Sequence, residues 1–208
     1  MKMLECNRRW RVWEGASALI MCQLLDAHGT PIDPSSIESM YATLYEPATS
    51  AIINSRDDQD VLASNGGQML DNLTVAGVSQ TNPVYVTTAS PHGLAVDPPA
   101  QPDRPWKVRL DDIVGPTAIN GRTFDVQPVT ETRLALANQY GSLLPAYVSG
   151  GTVRTGMFRL QLGPLDTTII DSTLEPGEAE EHRLVLEFEY SDGLAGQALV
   201  RIDVIRAR

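Results

Sequence analysis

The last forty or so residues constrain the fold most. Residues 182–190 read HRLVLEFEY and residues 197–205 read QALVRIDVI, with Ser191-Asp192-Gly193-Leu194-Ala195-Gly196 between them. Leu184, Leu186, Phe188 and Tyr190 alternate with Val185, Glu187 and Glu189, while Val200, Ile202 and Val204 alternate with Arg201 and Asp203. A period of two sends successive side chains to opposite faces, so both runs read as strands with one apolar face and the turn residues join them into a β-hairpin. A hairpin with one bare apolar face is not stable alone and requires more strands to cover it.

Those strands are present in the sequence. IESMYATLY alternates Met40, Ala42 and Leu44 with Tyr41, Thr43 and Tyr45; ALIMCQLL sets Ile20, Cys22 and Leu24 against Leu19, Met21 and Gln23; MFRLQL sets Phe158, Leu160 and Leu162 on one face. Further strands are expected near Trp10 and Trp13, at Ala51-Ile52-Ile53 and from Leu70 to Val75, with Val61 and Leu62 anchoring a polar loop. Pro164-Leu165-Asp166-Thr167 predicts a short helical corner that turns Leu165, Ile169 and Ile170 inward. Seven or so short strands with one helical corner describe an all-β chain, a β-sandwich of immunoglobulin-like architecture.

Residues 76–155 read as a separate small β domain set into a hairpin turn of that sandwich, which then comprises residues 1–75 and 156–208. Asn82-Pro83, Ser90-Pro91-His92-Gly93, Gly115-Pro116, Asn120-Gly121 and Ser149-Gly150-Gly151 each instruct the chain to reverse, and Asn120-Gly121 predicts a type I′ turn. The two ends of a hairpin turn lie about 5 Å apart, so a domain with adjacent termini can replace it. A chain of 208 residues is long enough for two such cores.

A net charge of −10 argues against a nucleic-acid surface, which needs a clustered basic face. The charge is uneven: residues 166–192 hold nine carboxylates and one arginine, Arg183, whereas the first residues carry Lys2, Arg8, Arg9 and Arg11 against Glu5 and Glu14. That asymmetry could orient head-to-tail assembly or simply be solvated. The chain shows neither a signal-peptide pattern nor an apolar run of about 18 residues, so neither secretion nor membrane spanning is expected. Cys6 and Cys22 lack metal-ligand spacing and read as buried thiols, a disulfide being the alternative in an oxidising compartment.

CQLLDAHGTPID, TLYEPATSAIINSRDDQDVL, FRLQLGPLDTTIID and HRLVLEFEY also resemble a family of immunoglobulin-like virion proteins of tailed bacteriophages. NPVYVTTASPHGL, IVGPTAINGRTFDVQPVTETRLAL and AYVSGGTV resemble the small β-barrel module of phage tail and neck proteins, similar in shape to the first catalytic-cysteine half-domain of ubiquitin-activating enzymes. The module here contains no cysteine and departs from that pattern by adding DPPAQPDRPW. The resemblance implies a non-enzymatic virion protein made in the bacterial cytoplasm: a neck or tail component such as an adaptor, collar or fibre anchor. It would be an oligomer in contact with portal, adaptor, tail, fibre or major capsid proteins, with neither nucleic acid nor membrane as a direct partner. A capsid decoration protein and a carbohydrate-binding module for the host surface are the alternatives.

No catalytic, cofactor or metal site is expected. Arg56-Asp57-Asp58-Gln59-Asp60 is a dense carboxylate loop, but it lacks the glycine and distal glutamate of an EF-hand and reads as a turn. His28, His92 and His182 lie near no recognisable nucleophile, and His92 reads as a residue that packs a turn. Trp106, Tyr140 and Tyr147 in the inserted module are the exposed aromatics expected to meet a partner, with Trp10 and Trp13 the competing pair and core packing the alternative for each.

Overall fold

Alternating sequence becomes strand along the whole chain. The computed structural model describes residues 4–62, 64–94, 105–137, 139 and 141–207, with residues 4–8 as backbone alone. The protein is all-β: the helical pieces among the described residues are short 3-10 turns. It packs as two compact units, one of Met1–Leu24, Ser35–Met69 and Phe158–Arg208, the other of Leu25–Pro34 and Leu70–Met157.

The first unit contains β1 (Leu4–Trp13), β2 (Ala18–Gln23), β3 (Ile37–Glu46), β4 (Ala51–Ile52), β5 (Gln59–Asp60) and β6 (Gly67–Met69). Six strands separate these from β13 (Met157–Leu162), β14 (Ala179–Tyr190) and β15 (Ala195–Ile205). One sheet runs β1-β15-β14-β3-β4 with β5 also on β3, and a second runs β2-β13-β6. The C-terminal hairpin is its centre: Leu184 faces Val200, and Leu186 faces Ala198 on one side and Ala42 on the other. β1 joins β15 in parallel, Trp10 opposite Ile202. No local signal specifies that contact between the two ends of the chain.

The alternation sorts faces as the sequence dictates. Met40, Ala42 and Leu44, then Leu184, Leu186 and Phe188, then Val200, Ile202 and Val204 are buried, as are Ile20, Cys22, Phe158, Leu160 and Leu162 from the smaller sheet. Each large aliphatic or aromatic chain so removed from water contributes roughly 1.5–3 kcal/mol. Gly196 faces Phe188 across the hairpin, and a Cβ there would lie 2.2 Å from the Phe188 ring, so this ring requires glycine opposite it.

The helical corner forms at Pro164–Thr167, and Ile169 turns inward as expected, but Leu165 and Ile170 do not. Leu165 is 66% exposed and Ile170 41%, while Asp166, Thr167 and Ile169 are buried. A 3-10 turn repeats every three residues, and polar bonds decide which side turns in. Asp166 accepts the Gly163 N–H, and the Thr167 hydroxyl donates to Ala16 O and Pro164 O.

The second unit holds β7 (Leu73–Val78), β8 (Val84–Thr88), β9 (Trp106–Val114), β10 (Arg122–Thr130), β11 (Arg133–Leu136) and β12 (Ser149–Arg154), closed as a barrel in the order β10-β11-β8-β7-β12-β9. Val75, Val84, Val86, Val108, Leu110, Phe124, Leu134, Leu136 and Val153 fill it. These six strands are consecutive in sequence, and they lie between β6 and β13, which are antiparallel neighbours with Met69 opposite Phe158. Leu25–Pro34 packs with the barrel: Arg154 bridges to Asp33 at 2.5 Å, and Asn72 Nδ2 donates to the same carboxylate.

The Asn120-Gly121 turn departs from type I′. Asn120 sits at φ −68°, ψ 146° and only Gly121 is left-handed, at φ 69°, which is the type II pattern. The reason is the Asn120 side chain, which accepts the Ile113 N–H and donates to Ile113 O, both at 2.9 Å, and so ties the turn to β9 beside the positive φ of Asp112.

Candidate functional site

The outer face of the six-stranded sheet carries the most ordered arrangement of charge. Backbone register sets its side chains in rows across the strands. One row is Arg9, Arg201, Arg183 and Tyr45, ending at Ile52 on β4; three arginines stand side by side. The next row toward the strand ends is Arg11, Asp203 and Glu181. On the other side come Leu199, Val185 and Thr43, then Gln197, Glu187, Tyr41 and Asp60.

Like charges opposite one another repel, so the arginines need answering. Arg9 Nε donates to both Asp203 oxygens at 2.7 and 2.8 Å, and its Nη2 lies 3.1 Å from Glu181; Arg183 Nε donates to Glu181 at 2.9 Å, and Arg11 lies 3.9 Å from Asp203. Asp203 raises the Arg9 pKa, and Glu181 then Tyr45 raise that of Arg183. Arg9, Arg11 and Arg183 thus share two carboxylates, and Arg201 stands in the same row on a chain whose net charge is −10. The opposed ends of the sequence therefore meet inside one sheet, where part of the expected asymmetry is neutralised.

The aromatic candidates are scattered. Trp106 is 8% exposed, which corrects the expectation of an exposed ring: it opens β9 on the inward side of the alternation. Tyr147 is half-buried and its hydroxyl donates to Val75 O and Gly150 O. Tyr140 lies outside the described residues. Trp13 is 58% exposed beside Ile205, whereas Trp10 faces the other way, half-buried.

Buried polar groups hold loops in place. Arg56, at 7% exposure, donates through Nε and Nη2 to the two oxygens of Asp166 at 3.1 and 2.9 Å, and Asn54 Nδ2 adds a third bond. Burial pushes the Asp166 carboxyl up, but Arg56, Asn54 and the Gly163 N–H outweigh it and hold it below the usual range. Nearby in the inward rows, Glu180 receives the Ile170 and Asp171 N–H groups and lies 2.6 Å from His182 Nε2; His182 Nδ1 has no partner among the described residues. Glu46 accepts the Ala48 and Thr49 N–H groups and the Thr49 hydroxyl, which with His182 lower its pKa against burial. His182 is fully buried and Glu180 nearly so.

His92 packs a turn at the barrel end. Its Nδ1 accepts the Leu94 N–H at 3.1 Å, which leaves the proton on Nε2 to donate to Thr130 O at 2.7 Å. Burial lowers its pKa, opposed by the Thr130 carbonyl and Glu131. No group of three or more His, Cys, Asp or Glu side chains among the described residues is placed to share a metal ion, and no helix among them is long and apolar enough to cross a membrane. No protein-family model matches this chain, and no curated protein matches its sequence.

Sequence reading missed the arginine row. Arg183 and Arg201 are visible as the polar members of two alternating runs, but only the hairpin register and the parallel docking of β1 make them neighbours of Arg9.

Proposed function

We propose that this chain is a non-enzymatic structural protein of a tailed bacteriophage particle, a neck or tail component, in which an immunoglobulin-like sandwich hosts an inserted small β-barrel. The observation that supports this most is the connectivity: six consecutive strands close into a barrel within the connection between β6 and β13, which are themselves hydrogen-bonded neighbours. A connection enlarged in this way can vary without disturbing the core that carries it, and such appendages are where partner contacts concentrate. The buried Arg56–Asp166 ion pair and the buried Glu180 side chain support a scaffolding role, since each anchors a loop. The sequence resemblance to virion proteins supplies the setting.

Electron cryo-microscopy of purified particles of the encoding phage tests the reading. Density for both units at the single vertex that bears the tail is expected. Copies spread over the whole shell would replace it with a decoration role, and particles lacking the chain would end the virion reading.

A further inference from the structure

We infer that the outer face of the six-stranded sheet is a self-complementary surface that pairs with the same face of a second copy of this chain. The inference stands on that face alone and goes beyond the virion reading, which can fail without it.

The charges are sorted along the strands. Arg183 precedes Val185 by two residues on β14 and Glu187 follows it by two, so the arginine row and the row holding Glu187 and Asp60 lie at equal distances on either side of the row Leu199, Val185, Thr43. Each is about 7 Å from that midline, at roughly 3.4 Å per residue. A two-fold axis lying along the midline, between two stacked faces, reverses the strand direction and leaves each strand over its own counterpart. It sets Val185 over Val185, Arg183 over Glu187 of the second copy, Arg201 over Gln197, and Tyr45 over Tyr41. Val185 meets its own copy on the axis, and every contact off the axis occurs twice, as an isologous interface requires.

The other two-fold, along the strands, would lay three arginines on three arginines, and like charges brought face to face disfavour it. Under the favoured axis Glu181 faces Glu189, but Glu181 is already answered by Arg9 and Arg183. The face is accessible at its charged and aromatic positions: the Arg9 side chain is 51% exposed, Arg11 78% and Arg183 36%, with Tyr41 and Ile52 also exposed, while Leu199 on the midline is buried and Val185 and Thr43 are half-buried. Charge complementarity names a second copy as the occupant, because Arg183 of each copy meets Glu187 of the other.

Sedimentation velocity of the full chain over a concentration series tests this. The wild type is expected to self-associate, more weakly at high salt. Arg183→Glu and Glu187→Arg should each weaken association at least about tenfold. The double variant carrying both exchanges the two charges and should restore it. Arg183 also pairs with Glu181, so Glu187→Arg, whose glutamate is exposed and bonded to Gln197, is the variant least exposed to misfolding; circular dichroism checks each. A monomeric wild type, single variants that associate unchanged, or a double variant no better than the singles would overturn the inference.

Discussion

A guanidinium withdrawn from water is tolerated where a carboxylate meets it squarely, and Arg56 meets Asp166 through two nitrogens. Asp166→Asn leaves Arg56 buried against a neutral group. It should cost about 3–5 kcal/mol of stability, read from chemical denaturation, whereas replacing both residues by apolar ones should cost less than the sum of the single changes. The pH dependence follows. The folded pKa of Asp166 lies below its unfolded value of about 3.9, so its contribution is complete above that value and lost as pH falls through the folded pKa; Asp166→Asn should lack that acid limb. For His92 the folded pKa is also lowered, here from about 6.5, so the unfolded chain takes up the proton first. Barrel stability should therefore be full above pH ~6.5 and decline below it, by at most about 1.4 kcal/mol per pH unit, and His92→Gln should flatten that slope. The turn-packing place of His92 was legible from Pro-His-Gly. Asp166 was not: it read as one more acid in a run of nine, because its partner lies 110 residues away.

Strands were the most legible elements, since burying one face forces a period of two and the buried sets of β3 and β14 follow it. Turns were read less well, because their conformation depends on side-chain bonds that composition does not encode. Asn120-Gly121 signalled a reversal, yet the Asn120 amide reaching Ile113 selected its type. Asn120→Ala removes both bonds and leaves the Ile113 N–H without its acceptor, so the unfolding midpoint should drop by an amount equivalent to about 1–3 kcal/mol. The corner at Pro164–Thr167 was predicted in place, but Leu165 turned out rather than in, because hydrogen bonds to Gly163 and Ala16 outrank the apolar side chain there. Pairing beyond the hairpin was illegible: nothing local says that β1 lies parallel to β15, and the arginine row follows from that docking.

At the scale of the whole chain, the all-β class was readable from alternation and turn chemistry, while membership of Leu25–Pro34 with the barrel was not, for it rests on Arg154, Asn72 and Asp33 meeting across the sequence. Replacing residues 70–157 with a short Gly-Ser turn between β6 and β13 should leave the first unit able to unfold cooperatively with a strand-type circular dichroism spectrum. Loss of that transition would show that its core depends on the barrel.

The parallel pairing of β1 with β15 has a consequence in time. During synthesis Leu4 leaves the ribosome well before its partner Ala198, a wait of roughly 10–40 s at ~5–20 residues per second. The barrel strands, all made in between, can close on one another while β1 still waits. A waiting strand is an invitation to aggregate, and charged residues on an edge are a known deterrent. Arg9 and Arg11 give β1 that protection until β15 arrives to take its place beside it.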